Sequence, residues 1–230
     1  MNVAVVLVAA GSGVRLGVGM PKAFAPLCGE PLLAHALRGV LGCADVAHVI
    51  IVAPGSHLDQ ARDLAGQDPR IDVVTGGADR SSSVVAGLAA LRPDDGIVLV
   101  HDAARCLAPA DLFARVIQAV RSGNDAIVPA LPVTDTIKVV DAAGLVLATP
   151  DRETLRGIQT PQGFLRDVLE RAYASRTPAT DDAGLVESIG GHVRVIDGDR
   201  LALKITSPAD LAVATSLLQD VPMPDSSHVR

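Results

Sequence analysis

Apolar, largely β-branched runs recur along the chain at residues 3–8, 46–52, 71–75, 97–100 and 126–128. Near-continuous runs of this kind, without polar alternation, predict strands buried on both faces. Between them the apolar positions switch to helical spacing. This occurs at Leu32, Leu33, Ala36, Leu37 and Val40, and again over residues 58–65, 84–91 and 112–120. Pro31 opens the first of these helices, and Pro109 with Asp111 opens the one at Leu112. Strand and helix in alternation predict an α/β fold: a doubly wound, mainly parallel sheet with right-handed crossovers. In such sheets ligands sit beyond the carboxyl ends of the strands, so the loops after the strands are where chemistry is expected.

After Pro132 the pattern changes. Residues 134–140 and 145–148 form two short strand-like runs separated by Asp141-Ala142-Ala143-Gly144, a hairpin signal with no helix between. A lone hairpin is marginal in water, so this arm is expected to pack on something, and a second subunit is the natural candidate. Helical spacing resumes at 165–173 and 181–189, followed by a strand at 192–196 and a last helix at 208–218. The expected organisation is one domain over residues 1–221, including a protruding β-arm at 133–152. A flexible tail rich in Pro and Ser is expected at 222–230.

Composition narrows the function classes. With 230 residues, 49% hydrophobic and 20% charged, the chain can bury a sizeable core. The longest apolar run, Val3 to Ala10, is too short to span a membrane, and no basic segment precedes it. The expectation is a cytoplasmic protein with no membrane partner. Three cysteines (Cys28, Cys43 and Cys106), without CxxC spacing, predict neither a disulfide framework nor a zinc site. A net charge of -6, 2% aromatic residues and no Trp argue against a nucleic-acid partner. Of 20 basic residues only Lys22, Lys138 and Lys204 are lysines.

Three loops could carry chemistry. The first, Ala9-Ala10-Gly11-Ser12-Gly13-Val14-Arg15-Leu16-Gly17, follows the first strand and ends at Met20-Pro21-Lys22. Its glycines let backbone amides approach a phosphate, and Arg15 with Lys22 can hold the charge of a triphosphate. It is neither a dinucleotide fingerprint nor a Walker loop, and it reads equally as a glycine-rich turn with solvated cations. The second, Gly76-Gly77-Ala78-Asp79-Arg80-Ser81-Ser82-Ser83, suits an anion at a helix start, or is simply a Ser-capped helix. The third, Val100-His101-Asp102-Ala103-Ala104-Arg105, places a carboxylate where Mg²⁺ could sit, or where a helix needs a cap. His101 fits a structural hydrogen bond better than a metal bond, since no partner His lies at ligand spacing.

Taken in order, AAGSGVRLG, PK, GGADRSSSV, HDAAR, DTIK, DR, TPQ, TDDA and LKIT resemble the 2-C-methyl-D-erythritol 4-phosphate cytidylyltransferase family of the non-mevalonate isoprenoid pathway, from about Val3 to about Leu218. The resemblance implies a nucleotidyltransferase fold, Rossmann-like, whose β-arm joins a homodimer. It also implies transfer of CMP from CTP to a polyol phosphate, with Mg²⁺. On this resemblance Arg15 and Lys22 hold the CTP phosphates, and Ala9, Ala10, Gly11, Ser12, Gly13, Gly77, Arg80 and Ser83 contact cytidine and its phosphates. Arg152, reaching from the arm into the neighbouring subunit's site, and Lys204 position the methylerythritol phosphate. Arg105, Thr136 and Thr160 are implied as further contacts to that substrate, and Asp102 as the position near both the substrate and Mg²⁺.

The chemistry suits that cast. The attacking phosphate oxygen is already ionised near neutral pH, so the reaction needs charge neutralisation and in-line placement rather than a general base. Departures from the family pattern are Val8, Cys106, Ala202-Leu203 before Lys204, and Ala78 where an acid is common. No second enzymatic domain of the kind that some relatives carry is expected after the last helix. Ribitol 5-phosphate cytidylyltransferase, a more distant sugar-1-phosphate nucleotidyltransferase and a CTP-sensing module remain alternatives. Arg152 and Lys204 favour catalysis over sensing.

Overall fold

β1 (Asn2–Val8) is buried from Val3 to Leu7, as its unbroken apolar run predicts. The computed structural model describes residues 1–219 except Ser12, Val14, Arg15, Val18 and Arg176; the expected tail lies outside the described residues. After β1 come the small hairpin β2 (Pro26–Leu27) and β3 (Glu30–Pro31), then α1 (Leu32–Leu41), β4 (Val46–Ala53) and α2 (Leu58–Ala65). β5 (Ile71–Thr75), α3 (Arg80–Leu88), β6 (Asp95–Asp102), α4 (Ala110–Arg121) and β7 (Ala126–Pro132) follow. The arm carries β8 (Val139–Val140) and β9 (Val146–Ala148). The chain then forms β10 (Arg156–Ile158), β11 (Gln162–Leu165), α5 (Arg166–Ala174), α6 (Asp182–Ser188), β12 (Val193–Asp197) and α7 (Pro208–Gln219).

The main sheet has the order β10-β7-β11-β6-β1-β4-β5, with β12 also paired to β7. β6, β1, β4 and β5 are parallel, as is the β12–β7 pair. β11 is antiparallel to both of its neighbours, and β10 to β7. Side chains of β1 alternate between two cores. Val3, Val5 and Leu7 pack with residues of α1, α2, α4 and α7, whereas Ala4 and Val6 pack with residues of α3, α5 and α6. Helices therefore cover both faces, as the doubly wound expectation requires.

Two strands depart from the sequence pattern. β11 has the sequence Gln-Gly-Phe-Leu and β10 has Arg-Gly-Ile, neither with a β-branched run. β11 extends because its backbone groups find partners on β6 and β7 at once, so tertiary pairing overrides weak propensity. At the amino ends of the strands, buried His48 lies 2.6 Å from Asp95 and 2.9 Å from Asp72. That contact stitches β4, β5 and β6 together at the end opposite the loops that follow the strands.

Candidate active site

The glycine-rich loop leaves β1 over the carboxyl edge of the sheet. Ala9 N–H donates to Val52 O at 2.8 Å, and Ala103 N–H donates to Val8 O at 3.0 Å, so the ends of β1, β4 and β6 are tied together. Lys22 N–H donates back to Gly11 O at 3.2 Å. Gly13, at φ 69°, lies so close to this return that a Cβ there would stand 2.8 Å from both Lys22 N and Met20 O. No side chain fits, and the loop packs backbone to backbone against the segment that presents Lys22. Arg15 and Ser12, two of the expected contacts, lie outside the described residues.

The second loop opens α3, but with a different cap from the one expected. Asp79, not a serine, is the N-cap: its carboxylate accepts from Ser82 N–H at 2.7 Å, and the Ser82 hydroxyl completes a capping box. Such a cap is worth about 1 kcal/mol and starts the helix at Arg80, one turn ahead of its first apolar residue. Ser83, almost fully buried, accepts from Gly77 N–H at 3.1 Å and donates to Asp79 O at 2.7 Å.

Asp102 ends β6 on the floor of the resulting cleft. Its Oδ1 accepts from Arg80 Nε at 3.1 Å, and its Oδ2 from Lys204 Nζ at 2.7 Å. Burial acts to raise its pKa, but Arg80 and Lys204 outweigh it and hold the carboxyl well below the usual carboxylate range. Burial likewise works against the Arg80 guanidinium, yet Asp182 and Asp102 push its pKa higher still. Thr160 sits behind Asp102: its Oγ1 accepts from Asp102 N–H at 3.1 Å and lies 3.0 Å from His101 Nδ1. His101 is fully buried, and desolvation pushes its pKa down to about 4. It is therefore a neutral ring, edge-on to Phe113, in the structural role expected of it. Cys106, in the next turn, is also buried, and burial pushes its thiol up to about 12.

Lys204 is delivered by the segment between Ala202 and α7. Ile205 N–H donates to Ala104 O at 2.9 Å. Gln159 exchanges hydrogen bonds with the Asp199 backbone at 2.7 and 2.9 Å. Arg105 donates to Ala202 O at 2.7 Å and to Ile158 O at 3.1 Å, so it braces this segment against β10.

These elements enclose a cleft of about 310 Å³. Its lining includes Ala9, Ala10, Gly11, Lys22, Ala78, Arg80, Ser83, Asp102 and Lys204. Gly77, Arg105 and Thr160 stand beside it rather than on its wall, and Thr136 and Arg152 lie on the exposed arm. Arg152 Nη1 donates to Thr134 O at 2.9 Å across the arm's root. Lys138 Nζ donates to Thr149 at 2.7 Å within the arm, away from the cleft. Sequence reasoning missed the residues behind Arg80. Asp182 takes both Nη groups of that guanidinium, at 3.1 and 2.7 Å, and the Tyr173 hydroxyl at 2.5 Å. The available signal was the Asp181-Asp182 doublet, because a helix start needs only one cap and Asp181 already provides it through Gly184 N–H.

The family described as IspD, 2-C-methyl-D-erythritol 4-phosphate cytidylyltransferase, matches residues 3–220. The chain belongs to that family. A 2-C-methyl-D-erythritol 4-phosphate cytidylyltransferase of Nocardia farcinica is 51% identical over 217 residues, 94% of each chain. Among solved structures, the 4-diphosphocytidyl-2C-methyl-D-erythritol synthase of Anaerococcus prevotii superposes with a TM-score of 0.85 at 31% identity, covering 95% of this chain and 96% of that one. The cytidylyltransferase of Thermus thermophilus superposes with a TM-score of 0.77 at 34% identity, covering 95% and 100%. As a member of IspD, the protein is a cytidylyltransferase of the non-mevalonate isoprenoid pathway. No helix among the described residues is long and apolar enough to cross a membrane.

Proposed function

We propose that the cleft at the carboxyl ends of β1 and β6 binds CTP along the glycine-rich loop and the start of α3. There it holds 2-C-methyl-D-erythritol 4-phosphate against Lys204, and it transfers CMP to the phosphate of that substrate with release of pyrophosphate. One observation carries this reading: Lys22, Arg80, Asp102 and Lys204 come from four separate segments and line one cleft. Two phosphate anions must meet there, and their repulsion is the main barrier. Lys22 neutralises the triphosphate and the charge that grows on departing pyrophosphate. Lys204, steadied by Asp102, orients the attacking phosphate oxygen toward the α-phosphorus.

Mg²⁺ fits this site in a limited sense. Among the described residues no group of three or more His, Cys, Asp or Glu could hold a metal, and Asp102 supplies a single ionised carboxylate. That donor set suits an ion that arrives on the triphosphate and completes its octahedron with phosphate oxygens and water. When bound, such an ion would draw charge from the phosphate oxygens.

The arm supports a homodimer. Val139, Val140, Leu145, Val146 and Leu147 are 45% to 67% exposed, an apolar surface that no other described residue covers. A partner subunit packed on the arm would bury this surface and bring Arg152 and Thr136 to the partner's cleft.

The test is pyrophosphate release with Mg²⁺ and each of CTP, UTP, ATP and GTP, against methylerythritol phosphate and ribitol phosphate. Release with CTP and methylerythritol phosphate is expected. Release with ribitol phosphate alone would reassign the acceptor, and no release with CTP and either acceptor would refute the reading.

A further inference from the structure

Asp182 is the first residue of α6 and is fully buried, yet it neither caps that helix nor lines the cleft. Its carboxylate is spent on Arg80 and Tyr173. The Nη1 and Nη2 groups of Arg80 reach its two oxygens at 3.1 and 2.7 Å, and Tyr173 on α5 donates to Oδ1 at 2.5 Å. Burial first, and then Asp182, raise the pKa of the Tyr173 hydroxyl, so it stays a donor throughout the working pH range. Nε of Arg80 meets Asp102, whose other oxygen meets Lys204. A line of alternating charge thus runs from α6 through α3 and β6 to the segment before α7. A neutral hydroxyl on α5 anchors its far end.

Three of the five N–H groups of Arg80 are engaged in this line. Without Asp182, the long guanidinium side chain could turn its paired Nη groups onto Asp102, where a bidentate contact is stronger than the single Nε bond observed. Asp102 would then be drawn toward α3 and away from Lys204. A buried ion pair is a poor way to gain stability, because an apolar cluster of the same volume does as well. Its value here lies in fixing where the charges stand.

We propose that Asp182 and Tyr173 are positioning residues of the transfer reaction. They hold Arg80 from behind, so that it touches Asp102 through Nε alone and leaves the second carboxylate oxygen to Lys204. This inference rests on the reading of the cleft given above. It specifies that Asp182 acts only through Arg80.

A double-mutant cycle tests it, with circular dichroism and Tm followed for every protein. Asp182→Asn keeps the shape of the side chain and removes its charge. It is expected to lower kcat/KM by on the order of 10²-fold, the scale of a misplaced reacting group. Tyr173→Phe, which removes one hydroxyl and leaves the packing, is expected to lower it about threefold to tenfold in the same direction. In an Arg80→Ala background both substitutions should change kcat/KM by less than about twofold, because their target is gone. A purely structural role would cut both backgrounds alike and would follow Tm. Equal losses in both backgrounds, or full activity of Asp182→Asn and Tyr173→Phe beside a disabled Arg80→Ala, would overturn the inference and leave the function standing. Full activity of Arg80→Ala would overturn both the inference and the place of Arg80 in the cleft. Absence of CTP turnover by the unaltered protein would refute the functional reading itself.

Discussion

Lys204 Nζ stands 2.7 Å from Asp102 Oδ2, so the ammonium proposed to hold the acceptor phosphate is already paired with a carboxylate. A compact ammonium can sit between a carboxylate and a phosphate, where a planar guanidinium needs more room and a fixed orientation. Lys204→Arg and Lys22→Arg are therefore both expected to lose most activity, more than about tenfold, with little change in Tm. Pyrophosphate release checks this. If both variants keep full activity, the scarcity of lysine in this chain is composition only.

Gly13→Ala combines a left-handed φ with a clash against the backbone of Lys22 and Met20. Overpacking plus strain predicts a loss of about 1 to 3 kcal/mol and a raised KM for CTP, because the displaced segment is the one that carries Lys22. Gly66→Ala is the control. Its φ is similar, 62°, but nothing lies within 4 Å of the added Cβ. With ψ at -138° it should cost about 1 to 3 kcal/mol of backbone strain and leave kinetics unchanged. Equal kinetics for the two variants would remove the packing argument.

Arg152 and Lys22 are expected to serve one active site from two chains. Arg152→Ala and Lys22→Ala proteins, each nearly inactive alone, should regain activity on mixing, since half of the sites in a mixed dimer then hold both residues. Leu147→Asp on the exposed apolar arm should turn a dimer into a monomer in sedimentation and abolish that recovery. Failure of mixing to restore turnover, with exchange of subunits verified, would place Arg152 on its own chain's cleft or on none.

His101 sets an acid limit on stability. An unfolded chain takes up a proton at this imidazole below pH 6.5, whereas the buried ring resists until about pH 4. The stability that the neutral ring contributes is full above pH 6.5 and is lost as pH falls toward 4. A displacement of that size corresponds to roughly 3 kcal/mol. His101→Gln should flatten the dependence of unfolding free energy on pH across that window. An unchanged slope would mean that other groups bind the protons.

Much of this was legible in the chain because the relevant residues are local. The apolar runs from Val3 and Val46 could only be buried strands, and Lys22, Arg80 and Asp102 stand in the loops that follow strands or at their ends. What was not legible depends on contacts distant in sequence. α3 begins at Arg80 because Asp79 caps it, although its first turn, Arg-Ser-Ser-Ser, has no apolar residue to announce it. The resemblance implies Thr160 and Arg105 as substrate contacts, whereas their hydrogen bonds to the Asp102 backbone and to carbonyls of β10 and the Lys204 segment appear only in the structure. The Asp181-Asp182 doublet marks one acid more than a helix start needs, but it does not say that α5 and α6 come to rest behind Arg80.

β6 and β7 follow one another in sequence but are not neighbours in the sheet, because β11 lies between them. The span from β7 to β11 includes the exposed arm, whose tip is the turn at Asp141 to Gly144. The second half of the chain is thus threaded into the first as a donated strand, held on both edges by backbone hydrogen bonds. A protease that cuts the arm tip should therefore sever the chain without separating its halves. The nicked protein is expected to co-elute as one species under native conditions and to come apart only in denaturant.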